Sequence, residues 1–129
     1  MGINSVGRRG SLGEDGERLA ERYLKRQGLQ VIARRVRIAG GEIDLIGVED
    51  GTLVFVEVKT RKSTMAGHPL EAVTERKQQQ VVRLAWAFLK RHRLLDRPVR
   101  FDVVGVLWPD GGEPTLTHVR HAFEESGRL

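Results

Sequence analysis

A chain of 129 residues with 40% hydrophobic content suits one domain with one core. The 30% charged residues, the short longest apolar stretch (Leu53–Val56) and the absence of an apolar region in Met1-Gly2-Ile3-Asn4-Ser5-Val6 argue against a membrane protein or a secretory leader. With no cysteine there are no disulfides or thiolate metal sites, which fits a reducing cytoplasmic compartment, and 22 Lys and Arg against 17 Asp and Glu lean towards polyanionic partners.

Residues 1–10 are rich in Gly and Arg and are expected to form a mobile tail, followed by a single domain over 11–123 and a frayed end over 124–129. Ser11-Leu12-Gly13-Glu14 fits a capping box, although Gly13 and Gly16 weaken the first turn. Leu19, Ala20, Tyr23 and Leu24 recur at helical spacing, and Gly28 is a natural stop. Leu29–Ile38 reads as a basic, β-rich run that ends at Gly40-Gly41. Glu42–Val48 and Thr52–Thr60 read as strands joined by an Asp50-Gly51 hairpin turn. The second of these is apolar on both faces and should lie centrally, covered on each side.

A loop over Ser63–Pro69 precedes a helix capped by Thr74 and running to about His92, with Val81, Leu84, Ala85, Phe88 and Leu89 as its apolar stripe. Pro98 breaks the chain before a buried strand over Val99–Leu107, and Leu116–Val119 reads as a short edge strand. The order α-β-β-β-α-β, with the second helix as a crossover, predicts an α/β fold: a mixed central sheet flanked by helices.

The hairpin sets a register. With Glu49 opposite Thr52, Asp44 faces Glu57 and Glu42 faces Lys59, all on one face of the sheet. Two opposed carboxylates on a central strand repel, and a divalent cation removes the conflict. Oxygen ligands of this kind suit Mg²⁺ or Mn²⁺, which keep waters and take substrate phosphate oxygens. Lys59 could then stabilise a developing anionic charge. The competing reading is an ion-pair patch in which Glu42 and Lys59 neutralise one another on a wet face.

Two helical residues join this group. Glu17 shares a row with Ala20 and Leu24, and Lys77 with Val81, Leu84 and Phe88, so both lie close to apolar stripes. Snorkelling is the plain alternative for each. Arg34, Arg35, Arg37, Arg61 and Lys62 could track a phosphate backbone or simply form a solvated basic face. His68, His92, His118 and His121 lack metal-ligand spacing and are expected at the surface. Trp86 and Trp108 are expected as core or edge residues.

Asp44, twelve intervening residues and Glu57-Val58-Lys59 resemble the PD-(D/E)XK nuclease pattern, with Gly41-Glu42 in place of its Pro-containing lead-in. A wider and more specific match resembles the bacterial YraN family, a group regarded as endonuclease-like and related in fold to archaeal Holliday-junction resolvases. It is carried by Gly13-x-x-Gly16-Glu17-x-x-Ala20, Gly41-Glu42-Ile43-Asp44-Leu45-Ile46, Phe55-Val56-Glu57-Val58-Lys59-Thr60-Arg61, the Lys77 helix and Arg100-Phe101-Asp102-Val103-Val104. The resemblance implies a restriction-endonuclease-like core, with Glu17, Asp44, Glu57 and Lys59 in the places of the resolvase-like catalytic residues. It also implies a homodimer as an expectation, since two cuts need two sites.

The expected activity is Mg²⁺- or Mn²⁺-dependent hydrolysis of phosphodiester bonds in nucleic acid, DNA of branched or processed structure in the first instance. Asp44, Glu57 and Glu17 would serve the metal, Lys59 the attacking water, and Lys77, Glu42 and Arg61 would support the site or touch substrate. The competing functions are a binding or scaffold module that keeps the nuclease fold without cutting, and an enzyme acting on a small phosphoester.

Overall fold

The computed structural model describes residues 11–124. Helix α1 spans Leu12–Arg26 and opens with the expected capping box: Glu14 N–H donates to Ser11 Oγ and Ser11 N–H to Glu14 Oε1, both at 3.1 Å. The helix ends at Gln27, and Gly28 turns the chain away with φ 106°. Its buried row is Gly16, Ala20 and Leu24. A Cβ on Gly16 would overlap Thr60 Oγ1 and lie 3.0 Å from Thr60 Cβ, so this glycine lets the helix touch the sheet. The cost to helix propensity is offset by that close approach.

Strands β1 (Gln30–Ile38), β2 (Gly41–Glu49) and β3 (Thr52–Arg61) form an antiparallel meander. Both connections, Ala39-Gly40 and Asp50-Gly51, have two successive positive φ angles, as a type I′ hairpin turn requires. Helix α2 (Glu75–Arg91), capped by Thr74 and preceded by a 3-10 turn over Pro69–Ala72, carries the chain to β4 (Val99–Leu107), which pairs parallel to β3. Strand β5 (Thr115–Phe123) closes the sheet in the order β1-β2-β3-β4-β5, with β3 central as its two-sided apolar pattern predicts. The result is a mixed five-stranded α/β sheet with the element order of a nuclease-like core.

Strand β5 is longer than the four residues expected. Its polar run, Thr117, His118, Arg120 and His121, hides the alternation, and pairing with β4 defines it instead. On one face of the sheet α2 packs Val81, Leu84, Ala85, Phe88 and Leu89 against Ile43, Ile46, Phe55 and Phe101. On the other, α1 packs Ala20 and Leu24 against Leu45, Val54, Val56, Val58 and Val104. Phe55, fully buried and stacked on Phe101 at 5.8 Å, anchors the first cluster; burying such a side chain stabilises by about 1.5–3 kcal/mol. Trp86 and Trp108 pack partly buried at the margins of the two clusters, as expected. Among the described residues no helix is long and apolar enough to cross a membrane. The expected tail over 1–10 and the chain beyond residue 124 lie outside the described residues.

Candidate active site

The β2–β3 ladder runs in the predicted register from Glu49 opposite Thr52 to Leu45 opposite Val56, and stops there. The next pair would be Asp44 and Glu57. Instead, the Asp44 Oδ2 carboxylate oxygen accepts the Val58 N–H at 2.8 Å. A side-chain acceptor replaces a strand carbonyl, and the two strands fork at that point. The fork corrects one expectation. Glu42 does not reach Lys59; its partner is Arg37 on β1, whose Nε lies 3.6 Å from Glu42 Oε2.

The fork opens into a cavity of about 330 Å³ lined by Gly13, Glu17, Asp44, Glu57, Val58, Lys59, Thr60, Ala72, Val73 and Lys77. Three elements deliver these side chains. Glu17 follows the glycine that seats α1 on Thr60. Asp44, Glu57 and Lys59 come from the forked strands. Lys77 lies in the first turn of α2 and places Nζ 3.3 Å from Glu57 Oε2.

Asp44 and Glu57 are 9% and 6% exposed, so neither carboxylate is well screened by water. Burial, then the charge of Glu57 and, more weakly, that of Glu17, push the Asp44 carboxyl up to about 8, against the pull of the Val58 N–H and Lys77. Glu57 is also raised, by burial above all, although Lys77 and Lys59 pull it down. Among the described residues neither Glu57 Oε1 nor Thr60 Oγ1, both buried, has a hydrogen-bond partner. Two buried carboxylates held together, one with an orphaned oxygen, are the environment that a hard divalent cation relieves. The donor set therefore fits Mg²⁺ or Mn²⁺. Among the described residues no three His, Asp or Glu side chains converge as a ready metal cage; a Mg²⁺ site of one or two carboxylates completed by water and phosphate needs none.

Glu17 lines the cavity but is already engaged: Arg35 Nε donates to its Oε1 at 3.1 Å, and Arg35 Nη2 lies 3.2 Å from Glu14 Oε2. Arg35 holds this position with φ 51°, an uncommon backbone conformation for a residue with a long side chain. The remaining basic residues divide. Arg34 donates through Nε to Glu21 at 2.9 Å, Arg37 meets Glu42, Lys62 lies 3.4 Å from Asp110, and Arg61 donates to the Ala66 carbonyl at 3.0 Å. Only Lys59 and Lys77 among the predicted cations line the cavity.

A second polar cluster lies at the other end of β4 and was missed in the sequence. Asp102, 1% exposed, accepts from Arg100 Nε at 2.8 Å and Nη2 at 3.0 Å and from the His121 N–H at 3.0 Å, and meets His118 Nε2 at 2.8 Å. Burial alone would raise its pKa, but His118, Arg100 and the His121 N–H outweigh it and hold the carboxyl at about 2. Arg100 also reaches Glu49 at 2.9 Å. His118 is therefore not a surface residue: its side chain is 6% exposed, against Asp102 and edge-on to Tyr23. The signal available was an Arg and an Asp inside an otherwise apolar strand, Val99–Leu107.

Comparison with known proteins supplies the family. The model described as "Uncharacterised protein family UPF0102" matches residues 16–106, which include every residue lining the cavity except Gly13. A UPF0102 protein of Trichlorobacter lovleyi is 44% identical over 115 residues, covering 88% of this chain and 91% of its own. One from Clavibacter michiganensis subsp. michiganensis is 47% identical over 111 residues, covering 86% and 94%. One from Geotalea uraniireducens is 44% identical over 114 residues, covering 88% and 90%. With a nuclease-like sheet, the predicted β2–β3 register and relatives of this closeness along nearly its whole length, the chain belongs to the UPF0102, or YraN, family.

Proposed function

We propose that the protein is a divalent-metal-dependent phosphodiesterase acting on nucleic acid in the cytoplasm, with DNA of branched or processed structure as the first substrate class to test. The observation that carries this reading is the buried pair Asp44 and Glu57, with Glu57 Oε1 left without a hydrogen-bond partner among the described residues and two lysines at the rim. Asp44 and Glu57 would hold Mg²⁺ or Mn²⁺, with Glu17 contributing directly or through water once Arg35 releases it. The ion would supply Lewis-acid polarisation of the phosphodiester and a lowered pKa for water. Lys59, at the open side of the fork, orients the attacking water and meets the charge that gathers on the phosphoryl oxygens. Lys77, paired with Oε2, favours the ionised form of Glu57 against the burial that raises its pKa.

The test is cleavage of labelled junction, flap, single-stranded, duplex and RNA substrates with Mg²⁺, Mn²⁺ or EDTA. Metal-dependent cutting that is lost in Lys59→Ala and Asp44→Ala supports the assignment. Cutting that survives both substitutions refutes it. One observation favours a second reading, a nucleic-acid-binding module that does not cut: Glu17, although it lines the cavity, has its Oε1 already tied to Arg35. That reading expects salt-sensitive DNA binding that needs no metal and survives Lys59→Ala.

A further inference from the structure

Glu17 stands between two cavities. It lines the carboxylate cavity with Asp44 and Glu57. It also lines a cavity of about 420 Å³ between α1 and β1, whose other charged walls are Glu14, Arg18, Glu21, Arg34 and Arg35. Arg34 and Lys25 share Glu21, and Arg18 meets Asp15. Arg35 bridges two carboxylates one helical turn apart: Nη2 lies 3.2 Å from Glu14 Oε2, and Nε donates to Glu17 Oε1 at 3.1 Å.

The two ends of this bridge differ. Glu14 is anchored, because its Oε1 takes the Ser11 N–H of the capping box. Glu17 has Arg35 as its one ion-pair partner among the described residues, and their side chains are 20% and 45% exposed. A pair with a half-exposed arginine is weak. Glu14 still holds Arg35 when Glu17 leaves.

Arg35 also occupies a special place in the sheet. It falls opposite Asp44, between the pairs Arg34–Leu45 and Val36–Ile43, and the two are themselves not paired. Its φ of 51° therefore lies where β1 faces the site carboxylate. The charge of Glu17 already bears on Asp44 and Glu57, raising both. Yet among the described residues no three acids converge as a cage.

We propose that Arg35 is a latch on the metal site: it holds Glu17 outside the Asp44–Glu57 pair, and a divalent ion captures Glu17 as a third carboxylate by leaving Arg35 to Glu14 alone. The proposal rests on the metal-dependent reading of the site. Gly16 seats α1 on Thr60, so the carboxylate changes cavity by side-chain rotation and not by movement of the helix. Arg35 acts through Glu17 and is a positioning residue.

The test is calorimetric titration of Mn²⁺ into the full chain at neutral pH, without nucleic acid. Wild type would be compared with Arg35→Asn, whose side chain tolerates the left-handed backbone, and with Arg35→Gln, Arg34→Gln, Glu57→Gln, Glu17→Gln and Glu17→Gln/Arg35→Asn, each checked for a native melting transition. Both Arg35 variants are expected to bind Mn²⁺ about three- to fivefold more tightly than wild type, the upper part of what an exposed ion pair supplies. In the Glu17→Gln background, Arg35→Asn is expected to shift affinity by less than about twofold, because its effect runs through Glu17. Arg34→Gln removes the same charge from the same cavity wall and is expected to stay near wild type. Unchanged or weaker binding in both Arg35 variants, equal tightening in Arg34→Gln, or full tightening in the Glu17→Gln background overturns the latch and leaves the metal site standing. Mn²⁺ affinity that Glu57→Gln does not change, or no binding by wild type and both Arg35 variants, overturns the metal reading with it.

Discussion

Asp44 Oδ2 takes the backbone N–H of Val58 at 2.8 Å, across strands that have just stopped pairing. This bond fixes one carboxylate of the site to the strand that carries the other. It also leaves two buried acids side by side with too little positive charge to ionise both, and several measurable consequences follow from that imbalance.

The first concerns pH. Asp44 has a folded pKa of about 8 against an ordinary 3.8, so its folded state favours the proton. Its contribution to stability is therefore complete below pH 3.8 and is lost as pH rises towards 8. Asp44→Asn keeps an oxygen acceptor for Val58 N–H and removes the ionisation. In EDTA the variant is expected to be more stable than wild type at pH 8, by on the order of 2–4 kcal/mol, with little difference at pH 4. Calorimetric melting at both pH values checks this, and equal differences at the two would count against it.

Divalent metal should act in the same direction on the wild type. Ion binding to the folded state at tenfold excess over its Kd stabilises by about 1.4 kcal/mol. Mg²⁺ or Mn²⁺ is expected to raise the melting temperature of wild type at pH 8, and EDTA to reverse the rise. Glu57→Gln should abolish the response, which a thermal-shift titration reads directly.

Lys77 acts in the same sense as the metal, so its removal should destabilise the fold. Its Nζ is 3.3 Å from Glu57 Oε2, and Lys77→Met leaves that carboxylate buried with neither oxygen paired by a cation. The half-exposed lysine limits the effect to about 1–2 kcal/mol of destabilisation at pH 8. At pH 4, where Glu57 takes up a proton, the loss should shrink. Urea unfolding of wild type and variant at the two pH values separates this from a plain packing defect, which pH would not relieve.

Asp102 titrates the other way. Its pKa of about 2 lies below the ordinary 3.8, so the stability it contributes is present above pH 3.8 and is lost as pH falls towards 2. Asp102→Asn weakens the contacts with Arg100 and His118 and should cost about 2–4 kcal/mol at pH 7. By pH 2.5 the gap between variant and wild type should narrow, as denaturant midpoints at each pH would show.

Gly16 tests how α1 is seated. Gly16→Ala improves helix propensity by about 1 kcal/mol, but its Cβ overlaps Thr60 Oγ1. Net destabilisation of about 1–3 kcal/mol is expected, because α1 must lift from β3. Thr60→Ala in the same chain should recover part of the loss. Additive effects in that double-mutant cycle would mean that the two residues do not meet.

Much of this site was legible in the sequence. Hydrophobic periodicity gave α1 and α2, two-sided apolarity placed β3 at the centre, and Asp50-Gly51 set a register that holds from Glu49 to Leu45. Those features depend on local spacing and turn chemistry, which a single chain writes in order. What spacing could not foresee was where pairing ends. Strict alternation carried Glu42 onto Lys59, but the Asp44 side chain takes the Val58 N–H and the strands part, so Glu42 turns to Arg37. Nor could charge patterning tell which arginines are neutralised: Arg34 and Arg35 meet Glu21, Glu14 and Glu17 only because α1 lies across β1. Asp102 and His118 likewise meet across 16 residues of sequence through the β4–β5 ladder. Composition and local pattern determined the elements and the central carboxylates; the docking of helices on the sheet decided which charges are paired, because Coulomb partners are chosen by distance in space and not along the chain.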